Sequence, residues 1–205
     1  MPVARSHAEL LAGGLAVLLE GGIAQDAVIQ STLAPSSFAG LCLALVPWLL
    51  CGGTLVLHHP FALPTLTQQM HDEQCAVLIV PDVVAFPLQA SGLFVESRPA
   101  SIIAPWRAPE RLATSPTWHA SGVTLIDVAL FGEAAIVPAR RRADGRASPM
   151  PLGPLLVPRA AADGSAVAEV SRTEAGTIAV RGPMVPQHAF PPRHRRVRAS
   201  PYQDR

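Results

Sequence analysis

Val123-Thr-Leu-Ile-Asp-Val-Ala-Leu-Phe-Gly-Glu133 decides how this chain reads, because an apolar strand pattern there runs straight into a Gly-Glu turn. Pro151-Leu-Gly-Pro154 follows as a turn, and Gly176-Thr-Ile-Ala-Val-Arg-Gly-Pro183 as a short strand closed by glycine and proline. In the latter, Gly176 and Gly182 suit turns, while Ile178 and Val180 share one side of the strand. Upstream, Ser101-Ile-Ile-Ala104 is another strand candidate. Cys75-Ala-Val-Leu-Ile-Val80 is a continuous apolar run ended by Pro81, the pattern of a strand covered on both faces.

Helical signals separate these strands. Ser6 and Glu9 have capping-box spacing, and Leu10, Leu11, Leu15, Leu18 and Leu19 recur at helical intervals. They predict a helix from His7 to Glu20, closed by Gly21-Gly22. Ala27 to Leu33 reads as a strand. The turn Pro35–Gly40 then leads into a buried helix capped by Gly52-Gly53, followed by a buried strand at Thr54-Leu-Val-Leu57. Pro64 opens a further helix through Leu66 and Met70, and a short one begins near Val83. Strands alternating with helices imply a doubly wound α/β layer over residues 3–137. From 138 to 190 turns, prolines and short β runs predominate, implying a small β-rich lobe. The basic stretch 191–205 reads as a disordered tail.

Of the 205 residues, 49% are apolar and 15% charged, with a formal net charge of +1, which excludes a disordered chain and gives no global signal for nucleic acid. Cys42, Cys51 and Cys75 are odd in number and lack metal-ligand spacing, so they read as buried free thiols, and a reducing cytoplasm fits. Arg5, His7 and Glu9 precede any long apolar run, against a signal peptide. Residues 38–57 are uncharged over a bilayer's length, but Pro47 and Gly52-Gly53 divide them, favouring a core helix and strand over a membrane span.

The order and spacing of the three opening motifs resemble the middle of the large N-terminal domain of the adenylate-forming (AMP-binding, acyl-CoA synthetase-like) superfamily, over residues 3–192. That superfamily includes acyl-CoA synthetases, luciferases and peptide-synthetase adenylation domains. The resemblance implies the partial doubly wound layers of that domain with a β-rich C-terminal lobe. It also implies a chemistry: a carboxylic acid attacks the α-phosphate of ATP, giving an acyl-adenylate and pyrophosphate, and CoA or a carrier-protein thiol then takes the acyl group. ATP and Mg2+ are the implied cofactors, and a carboxylic acid and a thiol the implied partners.

The family's aromatic-Gly-x-Thr-Glu segment, at the end of a strand, borders adenine and holds magnesium. An ungapped comparison from Leu125-Ile-Asp-Val128 puts Glu133 on the metal-binding Glu and Ala129, Leu130, Phe131 and Gly132 on the nucleotide-bordering residues. The other register matches Phe131-Gly132 to the aromatic-Gly pair and leaves Ala135 at the Glu position. The first keeps a carboxylate for a hard cation and is preferred; neither supplies the threonine hydroxyl. Phe38, after Pro35-Ser-Ser, falls where the family borders its acyl pocket. Arg5-Ser-His7 matches the start of the helix after the family's phosphate loop. Arg140-Arg-Arg142 reads as solvated charge, and adjacent His58 and His59 point to opposite faces, against a shared metal.

Two departures temper the activity. The phosphate loop belongs just before Arg5, where Met1 leaves no room for it, and the 205 residues include no lysine to serve as the family's catalytic one. The expectation is therefore an incomplete ligase core, inactive alone and with no catalytic residue assigned, in the cytoplasm. The alternative is a non-catalytic acyl-binding or interaction protein that retains the core.

Overall fold

The structure is a computed structural model that describes residues 3–96, 98–150, 153–156, 166–186 and 202–203. Helix α1 (His7–Gly21) begins where the sequence signals it. The Ser6 hydroxyl accepts from the Glu9 N–H at 3.2 Å and the Glu9 carboxylate from the Ser6 N–H at 2.9 Å. Such a cap contributes about 1 kcal/mol. Gly22 ends the helix in the left-handed region at φ 59°.

The face that α1 buries is built from small residues rather than from its leucines. Gly13, Gly14, Val17 and Gly21 are its buried positions, while Leu11 is exposed and the other leucines are half-buried. The reason is the neighbouring helical run at 38–51. It comprises α2 (Phe38–Gly40), a π-helical turn (Leu41–Leu45) and α3 (Val46–Cys51). A Cβ on Gly14 would overlap the Val46 side chain, so the two helices pack through the small residues. Gly52, in the left-handed region at φ 72°, caps α3.

Six strands form the main sheet: β1 (Val28–Ser31), β2 (Thr54–Leu57), β3 (Val77–Ile79), β4 (Ser101–Trp106), β5 (Thr124–Phe131) and β6 (Ala135–Arg140). Their order is β2-β1-β3-β4-β5-β6, parallel except for the antiparallel β5–β6 pair. The order reverses between β1 and β3, the topological switch point of a doubly wound sheet. α1 and the 38–51 helices cover one face, over Ile29, Ile103 and Ile126. The other face, with Leu78, Ile102 and Leu125, carries α4 (Leu63–Asp72) and α5 (Asp82–Ala90), with α6 (Leu93–Glu96) after it. Burial on both faces explains why β3 is uninterruptedly apolar. β2 is the exception to the sequence reading: an edge strand, with Thr54 and Leu57 exposed. Among the described residues no helix is long and apolar enough to cross a membrane.

A second, antiparallel sheet has the order β10-β9-β8-β7, from β7 (Gly153–Leu156), β8 (Ala166–Arg172), β9 (Ile178–Arg181) and β10 (Tyr202–Gln203). Val170 and Val180 join the core on the α1 face of the main sheet. The fold is thus α/β with a smaller β-rich part. Of the turn expected at 151–154, Gly153 and Pro154 instead open β7, while Pro151 and Leu152, like most of the basic stretch 191–205, lie outside the described residues.

Asp127 interrupts the apolar β5 and is buried. Arg141 answers it, with Nε 2.8 Å from Oδ2 and Nη2 3.2 Å from Oδ1, while Trp106 Nε1 donates to Oδ1 at 2.8 Å. Arg141 also donates to the Pro116 and Gly145 carbonyls and to Ser115 Oγ. The arginine run is therefore not uniformly solvated. Arg141 is a buried brace, while Arg140 and Arg142 are exposed, the first donating to the Glu20 carbonyl at the end of α1 and the second lying beside Asp144.

Candidate functional site

In an open parallel sheet, ligands bind outside the carboxyl ends of the strands. At the carboxyl end of β5 the chain turns through Gly132, in the left-handed region at φ 55°, and Glu133, closed by the Ala134 N–H to the Phe131 carbonyl. Ala129, Leu130 and Phe131 are the last residues of β5, with side chains buried in the core. Gly132 and Glu133 are the exposed part of the loop.

On the approach to α1, Arg5 lies within electrostatic reach of Glu133. Its guanidinium carbon lies 3.5 Å from the centroid of the Phe38 ring, and Nη1 donates to the Met184 carbonyl at 2.7 Å. Nη2 is buried without a hydrogen-bond partner. Burial lowers the Arg5 pKa from its ordinary value, against the opposing pull of Cys42, Glu9 and Glu133. A cation over an aromatic face gains on the order of 1 kcal/mol, which holds the guanidinium in this pose. Phe38 is positioned by Ser37, whose hydroxyl accepts from the Gly40 N–H at 2.9 Å, and is itself buried beneath Arg5. Arg5 is thus stacked on Phe38 and feels the charge of Glu133. Arg5 stood out in sequence only as the start of the Arg5-Ser-His7 match; its stack on Phe38 and its bond to the Met184 carbonyl were not foreseen, because nothing local to Arg5 announces them.

The chemistry open to this arrangement is electrostatic. Burial pushes the Cys42 thiol up to about 12, against the pull of Arg5, so it stays protonated at neutral pH and is no nucleophile. No group of three or more His, Cys, Asp or Glu with metal-binding placement occurs among the described residues. An exposed lone carboxylate such as Glu133 suits Mg2+, a hard ion that usually takes one or two carboxylates and completes its shell with water and phosphate oxygens.

Two other polar features do not compete. A cavity of ≈430 Å3 lined by Trp118, His119, Thr124 and Arg140–Asp144 lies at the amino end of β5, opposite the ligand side of the sheet. His58 is buried and accepts from the Ala62 N–H through Nε2 at 3.0 Å, so its Nδ1–H donates to Gln69 Oε1 at 2.7 Å. His59 is exposed, and the two histidines do face apart.

No family model and no curated protein sequence matches the chain. Solved structures do. The chain is similar to a malonyl-CoA ligase in ternary product complex with methylmalonyl-CoA and AMP, at 22% identity and a TM-score of 0.60, over 90% of this chain and 41% of that one. ATP-bound MatB from Rhodopseudomonas palustris matches at 18% identity and a TM-score of 0.63, over 94% and 39%. The N-terminal domain of FACL13 from Mycobacterium tuberculosis matches at 12% identity and a TM-score of 0.71, over 99% and 53%. The fold is therefore that of the adenylate-forming, acyl-CoA synthetase-like enzymes, and the chain spans about two fifths to one half of the length of these structures.

Proposed function

We propose that this chain carries part of the nucleotide- and acyl-binding core of an ATP-dependent acid–thiol ligase. The observation that supports the reading is the stacking of Arg5 on Phe38, with Glu133 acting electrostatically on Arg5 from the turn after β5, in a fold shared with acyl-CoA ligases. In the reaction, a carboxylate oxygen bonds to the α-phosphorus of ATP as the bond to pyrophosphate breaks. CoA or a carrier-protein thiol then displaces AMP. The Ala129–Gly132 end of β5 borders the nucleotide through its exposed turn, and Phe38 backs the acyl side. The unpartnered Nη2 of Arg5 is a charged donor for a developing oxyanion. Glu133 would hold Mg2+, which when bound neutralises polyphosphate charge.

The 205 residues contain no lysine, so this part of the core supplies none to the transfer. The second reading is a non-catalytic acyl-binding or interaction protein built on the same core. Calorimetric titrations with MgATP and with a fatty acid, performed separately, distinguish the two. The ligase reading expects ATP to bind, with Arg5→Ala weakening it about tenfold, as for loss of a hydrogen bond from a charged group, and Glu133→Gln removing its Mg2+ dependence. ATP binding unchanged in both variants refutes the site. Fatty-acid binding without any ATP binding supports the second reading.

A further inference from the structure

We infer that Asp127 and Arg141 are positioning residues for the proposed nucleotide site, locking the end of β4 and the crossover after it against the Ala129–Gly132 end of β5. The inference rests on the ligase reading above and adds to it a pair of residues that touch no ligand. Their partners lie within residues 86–145, and both side chains are buried, Asp127 at 3% and Arg141 at 7% exposure.

Parallel strands need a crossover connection, ordinarily a helix. Between β4 and β5 the crossover has one 3-10 turn, Pro109–Thr114, as its regular structure. Side chains therefore hold much of its backbone. Trp106, the last residue of β4, pairs in register with Ala129 and donates from Nε1 to Asp127 Oδ1 at 2.8 Å. On the returning limb, Arg141 Nη1 donates to the Pro116 carbonyl at 2.6 Å and Nη2 to Ser115 Oγ at 2.8 Å. The 3-10 turn is thus flanked by two anchors, both made by one carboxylate–guanidinium pair. Between the anchors, Arg111 comes within electrostatic reach of Asp82, which opens α5 beyond the carboxyl end of β3. That puts the turn on the ligand side of the sheet.

Stability alone does not account for an ionic pair at this place. Apolar residues of similar volume are often as stabilising as a buried ion pair, or more so. What they do not supply is direction. A guanidinium presents five donors in a rigid plane. Arg141 uses them to grip Asp127 on β5, the Ser115–Pro116 limb and the Gly145 carbonyl at once. The Phe86 ring on α5, its centroid 5.0 Å from the guanidinium carbon, packs against that group. The cluster fixes where the end of β4 and the 109–114 turn stand relative to β5, as a binding site requires of its supporting residues.

MgATP calorimetry combined with amide exchange on the full chain tests the inference. Trp106→Phe cuts one tie and leaves the ion pair. Asp127→Leu combined with Arg141→Met replaces the pair by apolar bulk. Both should keep the wild-type circular dichroism yet bind MgATP about tenfold more weakly, as for loss of a hydrogen bond to a charged group. The Arg111 and Ser115 amides, bonded to the Ala108 and Leu112 carbonyls, should exchange about tenfold faster through local opening. The Thr54 and Ala76 amides, bonded to the Ala27 and Val28 carbonyls of the β1 region, should keep wild-type rates. Trp106→Phe decides on its own where the double variant does not fold. Unchanged MgATP affinity in Trp106→Phe overturns the inference, as does exchange that speeds equally at Thr54 and Ala76. A wild-type chain that binds no MgATP refutes the ligase reading before any variant is made, and this inference with it.

Discussion

Separating the two partners of the buried Asp127–Arg141 pair should produce deficits that diverge with pH. Arg141 donates five hydrogen bonds, two of them to Asp127, and Asp127 accepts a third from Trp106. Removing one member of such a pair costs about 3–5 kcal/mol, because the other is left charged in a low-dielectric interior. Asp127→Asn strands a guanidinium that cannot deprotonate, so its deficit should be nearly constant between pH 5 and pH 8. Arg141→Met strands a carboxylate that can protonate. Burial already raises the Asp127 pKa in the intact pair, with the Arg141 and Trp106 bonds opposing it. Without Arg141 the native pKa rises further above that of the unfolded chain. The native state then binds the proton more readily, and stability falls as pH rises through that native value. Conversely, Arg141→Met should recover about 1.4 kcal/mol for each unit the pH drops below that pKa, until the unfolded pKa is reached. Urea unfolding followed by tryptophan fluorescence at pH 5, 6.5 and 8 measures both variants against wild type. Deficits that stay parallel across the three pH values, or a loss below about 1 kcal/mol in either variant, refute the assignment of a charged buried pair.

Three further outcomes follow from the packing. Gly14→Ala should destabilise by about 1–3 kcal/mol through overpacking against Val46, visible as a lower urea midpoint, whereas Ala is ordinarily the better helix former. Ser6→Ala, which removes the α1 cap, should cost about 1 kcal/mol and speed amide exchange in the first turn. Burial holds the Cys42 thiol up to about 12 and the Cys75 thiol up to about 11, and Cys51 is buried as well. An alkylating reagent at pH 8 should therefore modify none of the three in the native chain and all three in urea.

What the sequence disclosed depended on whether the deciding contacts were local. The ends of α1 were legible because Ser6, Glu9 and Gly22 act within a turn of themselves. Its buried face was not, since leucine spacing says where apolar residues lie but not which neighbour a helix meets, and here the neighbour is the Cys42–Val46 side of the next helical run. Thr54–Leu57 was legible as a strand yet not as an edge, because a short apolar run has the same pattern in either place. At the site, Glu133 and Phe38 stood out in a motif comparison, whereas the stacking of Arg5 joins positions far apart in the chain. Asp127 was a missed signal. A carboxylate in the middle of a buried apolar strand requires a cation, and Arg141, which reads as solvated charge, was within reach one hairpin away.

The hydrogen bond from Arg5 to the Met184 carbonyl links positions 179 residues apart, the widest separation among the side-chain hydrogen bonds described. Closing so long a loop costs chain entropy that only contacts already made can offset, so such a contact belongs late in the order of folding. The guanidinium can reach its acceptor once the core beneath β8 and β9 has consolidated. Arg5 is therefore held in this pose only when the chain around Met184 is seated on the same core as α1.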